Sequence, residues 1–483
     1  MPSVPLFACG RRRPVRGGLP AIAAASAVAI AVSLGLAGCG PSEEEIRLHR
    51  AMYEVRSTPN PDMREAIGTL AVRRESDKHK SEFVQYSMCE ITAATMAGYY
   101  EHADRVGKHA YLAVQRYQDA DEETRAAWGN EAVKFFKGEP HERAMLCFYT
   151  GLMCYRDGDY NNARVFFAQS LRATASRDED MKDHRDDFRL GHLWLGRAFL
   201  KLGQRDNACI AFRKVMDERP LPSEVRDFSA MKRTRTQEYK TQLTLEKKCY
   251  EQGAKGKNPV HGIVNLADPV QRADMPARLP HAADGAPTHL FAAELSRFLD
   301  PDFQSAANLL LVVELGAGPT KYLHGASDAL DDYRRTNNVA RGVDVYLDGF
   351  RAGPAFCLAD MYHQAITRGV KTRRGRQVGK AVTKEILRRT PWIGGVFSYW
   401  DIAADGRYWP SLPDQVAVYA ACVEPGFHDI SLKFYDINGA YLPRFDINRH
   451  YIYVPEQGEQ VILLHSAENQ ENAHILAQPL AKK

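Results

Sequence analysis

Apolar positions along this 483-residue chain change their spacing several times, and each change predicts a different kind of structure. An almost unbroken apolar stretch runs from Leu19 to Ala37. From about residue 43 to 250 apolar residues recur at the three-to-four spacing of amphipathic helices. From Gly253 to Thr288 the periodicity vanishes into Gly, Pro, Ala, Asp and His, the composition of a linker or long surface loop. Beyond it the apolar runs shorten. Asn308 to Leu315 reads as a buried strand, and Val343 to Leu347 alternates like a half-buried one. Val416 to Cys422, His428 to Tyr435 and Gln460 to His465 read as further strands, and Ala359 to Arg389 has a helical period. Gly316-Ala317-Gly318-Pro319 breaks the first strand, while Asp348-Gly349, Pro425-Gly426 and Asn438-Gly439 mark turns. The expected fold class is α+β: an N-terminal all-α helical-repeat domain followed by a mainly antiparallel α+β domain. The expected segments are 1–38, 39–252, 253–290 as linker, and 291–483.

Within the helical segment one template recurs. Gly151, Gly158, Tyr160, Ala163, Phe167 and Leu171 form one copy; Leu195, Gly196, Phe199, Gly203, Ala208, Phe212 and Pro220 form a second. Gly98, Tyr100, Ala103 and Ala110 form a degenerate third. Small residues let paired helices approach, and aromatics fill the grooves between pairs. The pattern resembles the tetratricopeptide repeat, although the two better copies lie 45 residues apart rather than about 34. The excess falls in the charged run from Ser176 to Asp187, which reads as an exposed loop. The resemblance implies a short stack whose concave face grips a peptide or protein. The alternative is that the helices pack against the second domain or space it from a membrane.

Charge changes the reading of the N-terminus. Arg11, Arg12, Arg13 and Arg16 precede the apolar stretch, and no acidic residue lies there. Removing these four from the 64 basic residues leaves 60, equal to the 60 acidic ones, so the net charge of +4 belongs to this segment alone. The rest has no global field for nucleic acid. Basic, then apolar, then small residues is the order of a secretory signal. Its end, Leu36-Ala37-Gly38-Cys39, resembles the lipobox of bacterial lipoproteins. The resemblance implies diacylglycerol on the Cys39 sulfur, cleavage before Cys39, and export to a membrane, with Gly40 favouring the outer one facing the periplasm. Several acyl chains hold a folded domain durably, at about 0.8 kcal/mol per buried methylene. Cys89, Cys147, Cys154, Cys209, Cys249, Cys357 and Cys422 remain; an odd number at irregular spacing, with no C-x-x-C, is not a disulfide framework.

A second resemblance rests on Val312-Val313-Glu314-Leu315-Gly316-Ala317-Gly318-Pro319-Thr320-Lys321, on Ala404-Asp405-Gly406-Arg407-Tyr408-Trp409-Pro410-Ser411-Leu412-Pro413, and on Glu424-Pro425-Gly426. These are similar to motifs of a poorly characterised family of bacterial lipoproteins with a tetratricopeptide-like N-terminal region. The similarity covers most of the mature chain. It implies an envelope lipoprotein and supplies no catalytic residues.

Candidate chemistry is sparse. The Gly316–Gly318 loop with Lys321 invites a phosphate reading, but Pro319 removes a donor and the third glycine is absent. Gly375 to Ala381 lacks the hydroxyl of a Walker loop, and His141-Glu142-Arg143-Ala144-Met145 lacks the second histidine of H-E-x-x-H. No G-x-S-x-G occurs. The basic run from Arg368 to Arg389, with Lys380, Lys384 and Arg388 on one helical face, reads as a solvated face or a contact for lipid headgroups or wall polymer. Asp405, Arg407 and Trp409 form the most distinctive cluster, either orienting a sugar or peptide or serving as a loop that pins the backbone and plugs the core. No catalytic residue, metal site or cofactor is expected. The expected partners are membrane lipid through Cys39 and another envelope protein, with no nucleic acid. The expected function is a lipid-anchored, non-enzymatic scaffold in envelope or surface-polymer assembly, the alternative being an envelope enzyme or binder of glycan or peptide acting through Lys321, Asp405, Arg407 and Trp409.

Overall fold

A computed structural model describes residues 41–56, 61–77, 81–119, 135–174, 188–217, 295, 297–324, 330–336, 338–367, 404–436, 440–466 and 472–477. The signal segment, Cys39, the charged loop, the linker, the basic run and Asn438-Gly439 lie outside them. Two units are distinguished, Met1–Arg47 and Leu48–Lys483. In the first, Ser42 Oγ accepts the Glu45 N–H at 3.2 Å and the Glu45 carboxylate accepts the Ser42 N–H at 2.7 Å, closing the start of α1 (Glu43–His49).

In the second unit, α2 (Met63–Ser76), α3 (Phe83–Met96), α4 (Tyr100–Asp119), α5 (Pro140–Arg156), α6 (Tyr160–Thr174), α7 (Arg189–Lys201) and α8 (Arg205–Asp217) come first. Three hairpins, α3–α4, α5–α6 and α7–α8, turn by one device. Gly98, Gly158 and Gly203 adopt φ of 78°, 77° and 71°. Each glycine N–H donates to the carbonyl three residues back, and the next N–H to the carbonyl five back: Tyr99 to Ala94, Asp159 to Cys154, Gln204 to Phe199. This glycine cap uses up the last carbonyls of the first helix. The helices of the latter two hairpins meet through a second glycine. A Cβ on Gly151 would lie 2.7 Å from the Phe167 ring, and one on Gly196 2.4 Å from the Phe212 ring. Each aromatic follows its glycine by the same number of positions.

The two kinds of glycine carry different costs. Gly203→Ala meets open space, so only the left-handed backbone opposes it, at about 1 kcal/mol. Gly196→Ala forces a methyl into Phe212 and is expected to cost more, about 1–3 kcal/mol. Urea unfolding midpoints of the two variants check the order.

The C-terminal part holds α9 (Pro301–Ala306), α10 (Met361–Thr367) and eleven described strands. A five-stranded sheet has the order β11-β10-β1-β7-β6, from Asn472–Ala477, Gln460–Ser466, Leu309–Leu315, Gln415–Ala421 and Phe356–Asp360. The β1–β10 pair is parallel and the other pairs are antiparallel. A four-stranded antiparallel sheet has the order β5-β4-β8-β9, from Phe350–Pro354, Gly342–Leu347, Gly426–Tyr435 and Ile447–Val454. β2 (Thr320–His324) pairs with β3 (Leu330–Arg334). The α+β class is as the apolar spacing predicts. The helix expected from Ala359 begins instead at Met361, because Phe356–Asp360 is buried and paired with β7.

Strand periodicity sorts side chains into two cores. Leu310, Val312, Val416, Val418, Val461 and Leu463 join one apolar cluster with α3, α5 and α7. Leu309, Leu311, Val313, Ala417, Ile462 and Leu464 join a second cluster with Val345, Leu432 and Phe434 of the smaller sheet. The layers are therefore helices, large sheet, small sheet. The helices and large sheet share one core, so packing draws no boundary between 39–252 and 291–483. Phe83 to Met96 is buried along its whole length, whereas α6 buries only Ala163, Phe167, Ser170 and Thr174 among its residues. The first helix of each hairpin is thus sandwiched, and the second faces outward.

Candidate functional site

The most concentrated chemistry lies between the helical layer and the large sheet. Glu314 and His465 are register partners on the parallel β1–β10 pair and point toward the helices. Arg56 Nη2 donates to Glu314 Oε2 at 2.6 Å, and Arg56 Nε donates to the Ser411 carbonyl. Tyr149 of α5 donates to Glu314 Oε1 at 2.6 Å, and His465 Nδ1 lies 2.9 Å from Glu314 Oε2. All four side chains are buried. Burial alone would raise the Glu314 carboxyl; the Arg56 charge and His465 outweigh it and hold it at about 2. Burial lowers His465 against the pull of Glu314.

Similar clusters flank this one. Arg197 of α7 donates from Nη1 to the Gln304 carbonyl at 2.9 Å and to its Oε1 at 2.6 Å, and pairs with Glu459, which Lys201 also meets at 3.1 Å. Glu142 accepts the Glu139 N–H at 2.6 Å and the Trp409 N–H at 2.5 Å. Burial and the neighbouring Glu139 raise its carboxyl to about 7. Asp360 and Asp414 face Arg335 and Arg341, and burial raises Asp414.

The residues singled out from the sequence fall into this interface. Trp409 is 1% exposed; its indole N–H donates to Thr92 at 3.1 Å and Ser411 at 3.0 Å, and its ring packs against Tyr149. Arg407 clamps Asp405 through two bonds of 2.8 Å, donates to the Ser81 carbonyl at 3.1 Å and covers the Phe136 ring. These three residues tie the 404–414 loop to α3 and α5. Lys321 lies between Glu139 and Asp331, at 3.0 Å from each. The Gly316–Gly318 loop is closed by Asn338, which accepts the Ala317 N–H at 3.1 Å and donates to the Ala317 carbonyl at 2.7 Å. The Gly318 N–H donates to Leu412 at 2.7 Å. Those donors are spent on the protein and do not cradle a phosphate. Of the repeat residues, Gly151, Gly158, Tyr160, Ala163 and Phe167 sit at the α5–α6 seam, and Gly196, Phe199, Gly203, Ala208 and Phe212 at the α7–α8 seam.

Among the described residues no group of three or more His, Cys, Asp or Glu side chains is placed to hold a metal, and no helix is long and apolar enough to cross a membrane. Cys147 and Cys154 are both free thiols. The Glu314–His465 pair escaped the sequence reading, although its signal was present: one ionisable residue one position before the end of each of two mainly apolar runs, L-L-L-V-V-E-L and V-I-L-L-H-S. No protein-family model and no curated protein matches this chain. Most of these charges are paired with an opposite charge and shielded from water, an arrangement that fastens the two layers together.

Proposed function

We propose that this chain is a lipid-anchored cell-envelope protein acting as a non-enzymatic interaction scaffold, exported by its N-terminal segment and held through acylated Cys39. The helices form a short tetratricopeptide-like array in this reading. The observation that carries it is repetition: three hairpins closed by the same glycine cap, two of them with the same glycine–aromatic contact. A stack built this way offers a continuous side to a partner. The inner face, made by the first helices, is taken by the large sheet. The partner surface is accordingly the outward side of the second helices, where Val165 and Ile210 occupy the same place in their hairpins at 43% and 54% exposure.

The test is recovery of partners from gently solubilised membranes, with Cys39→Ala and Val165→Asp/Ile210→Asp as comparisons. A stoichiometric envelope protein recovered with the wild type and lost from the double variant is the expected result. Cys39→Ala is expected in the soluble fraction. Recovery of the wild type alone, or of the same partner with the double variant, would sink the scaffold reading; Cys39→Ala remaining in membranes would sink the anchor.

A further inference from the structure

Eight carboxylates are buried among the described residues, and seven of them lie within salt-bridge distance of an arginine or lysine, as Glu90 does of Arg74 and Asp344 of Arg351. Glu142, 1% exposed, is the eighth and meets no cation at that distance among the described residues. It is the third residue of α5, and both its oxygens are taken by backbone donors. Oε2 accepts the Glu139 N–H at 2.6 Å and closes the start of the helix. Oε1 accepts the Trp409 N–H at 2.5 Å and ties the helix to the 404–414 loop. A carboxyl group without a counterion therefore sits in the joint between two elements.

The groups around it do not supply the missing charge. On α5, Arg143 follows it, but that guanidinium donates to the Gly138 carbonyl at 2.8 Å. α3 brings the Cys89 thiol, which burial pushes up to about 12, and the loop brings Tyr408, which burial also raises, so both stay neutral near pH 7. β2 brings Lys321, whose ammonium lies at 3.0 Å from both Glu139 and Asp331. The helix start and the two N–H donors favour the ionised form of Glu142. Burial outweighs them, and Glu139 adds a like charge in the same direction.

A buried ion without a counterion is relieved either by a proton or by water. Water is near at hand, because the Glu139 side chain beside it is 21% exposed. We propose that Glu142 is a proton-operated latch: with a proton bound the 404–414 loop stays closed on α5, and when the proton leaves to solvent the loop lifts from α5 and water reaches the carboxylate. The bond to the Trp409 N–H is the one that breaks, since the Glu139 N–H belongs to the same helix start. Its carboxyl is held at about 7 against an ordinary 4.5, so the effect of the proton is fully present below about pH 4.5 and is lost as pH rises through about 7. The latch depends neither on the lipid anchor nor on a protein partner.

The test is hydrogen–deuterium exchange of the full chain, read by mass spectrometry on peptides covering 404–414, for the wild type and Glu142→Gln at equal pH. The ratio of wild-type to variant exchange rates is expected to rise roughly 10- to 100-fold from pH 5.5 to 8.5. The intrinsic effect of pH on exchange is common to both proteins and cancels, as does any titration of Asp414 in the same segment. Glu139→Gln is expected to move the rise to lower pH, because it removes the like charge beside Glu142. If Glu142→Gln does not fold, the opening of the wild type and of Glu139→Gln, each divided by the intrinsic exchange rate, carries the test. A response that stays constant with pH, a rise that Glu139→Gln leaves in place, or an equal rise in peptides of the four-stranded sheet would each overturn the proposal. The last would mean that the whole fold loosens and not this joint.

Discussion

Arg56→Met is expected to destabilise the fold by about 3–5 kcal/mol, because it strands the Glu314 charge between two layers with no cation beside it. Loss of the bond to the Ser411 carbonyl adds to the effect. The double variant Arg56→Met/Glu314→Leu is expected to recover part of the loss, since an apolar replacement leaves no unmatched charge. Urea unfolding of the two variants separates these outcomes; a double variant worse than Arg56→Met would mean that shape, not charge, dominates the site. The same pair sets an acid limit. The folded carboxyl at about 2 lies below its ordinary value of 4.5, so its contribution is fully present above about pH 4.5 and is lost as pH falls toward 2. That loss amounts to about 3 kcal/mol. The stability gap between the wild type and Glu314→Gln is therefore expected to narrow across this window.

Trp409→Ala is expected to cost about 3–5 kcal/mol, the range for deleting a buried aromatic. The indole fills space against Tyr149 and occupies the hydroxyls of Thr92 and Ser411. Trp409→Phe keeps most of the volume but not the N–H, and is expected to cost less than the alanine variant. Differential scanning calorimetry of both variants measures the division between packing and hydrogen bonding. Equal losses would assign the whole effect to the N–H.

Hydrophobic spacing alone made the strands at Leu309–Leu315, Gln415–Ala421 and Gln460–Ser466 legible, because both their faces are buried and their apolar runs are nearly continuous, and Gly342–Leu347 legible through its alternation. Thr320–His324, Leu330–Arg334 and Ile447–Val454 were not legible: they are polar or part-exposed, and tertiary pairing rather than composition makes them strands. Repeat glycines were readable from their spacing, while the covering of the inner helix face by the sheet was not, because nothing local in Phe83–Met96 says what lies above it. Trp409 was conspicuous as a rare residue in a distinctive motif, yet rarity does not distinguish a core plug from a ligand platform. The exposed Phe427 and Tyr453 of the small sheet were invisible as a pair, since they meet only through strand register.

The bonds that fasten the layers join residues far apart along the chain: Arg56 meets Ser411 across 355 positions, Arg197 meets Glu459 across 262 and Glu314 meets His465 across 151. The β1–β10 pairing imposes the same delay on the large sheet. Such a topology folds slowly, because long loops must close before distant contacts reward them. A chain emerging N-terminus first can form its helical hairpins early, but it cannot neutralise Arg56 until Glu314 of β1 arrives, nor Arg197 until Glu459 does. A terminal truncation just before Gln460 would therefore strip β10 and β11 from the edge of β1, and the nascent chain would expose that part of the apolar seam to chaperones until its synthesis was nearly complete.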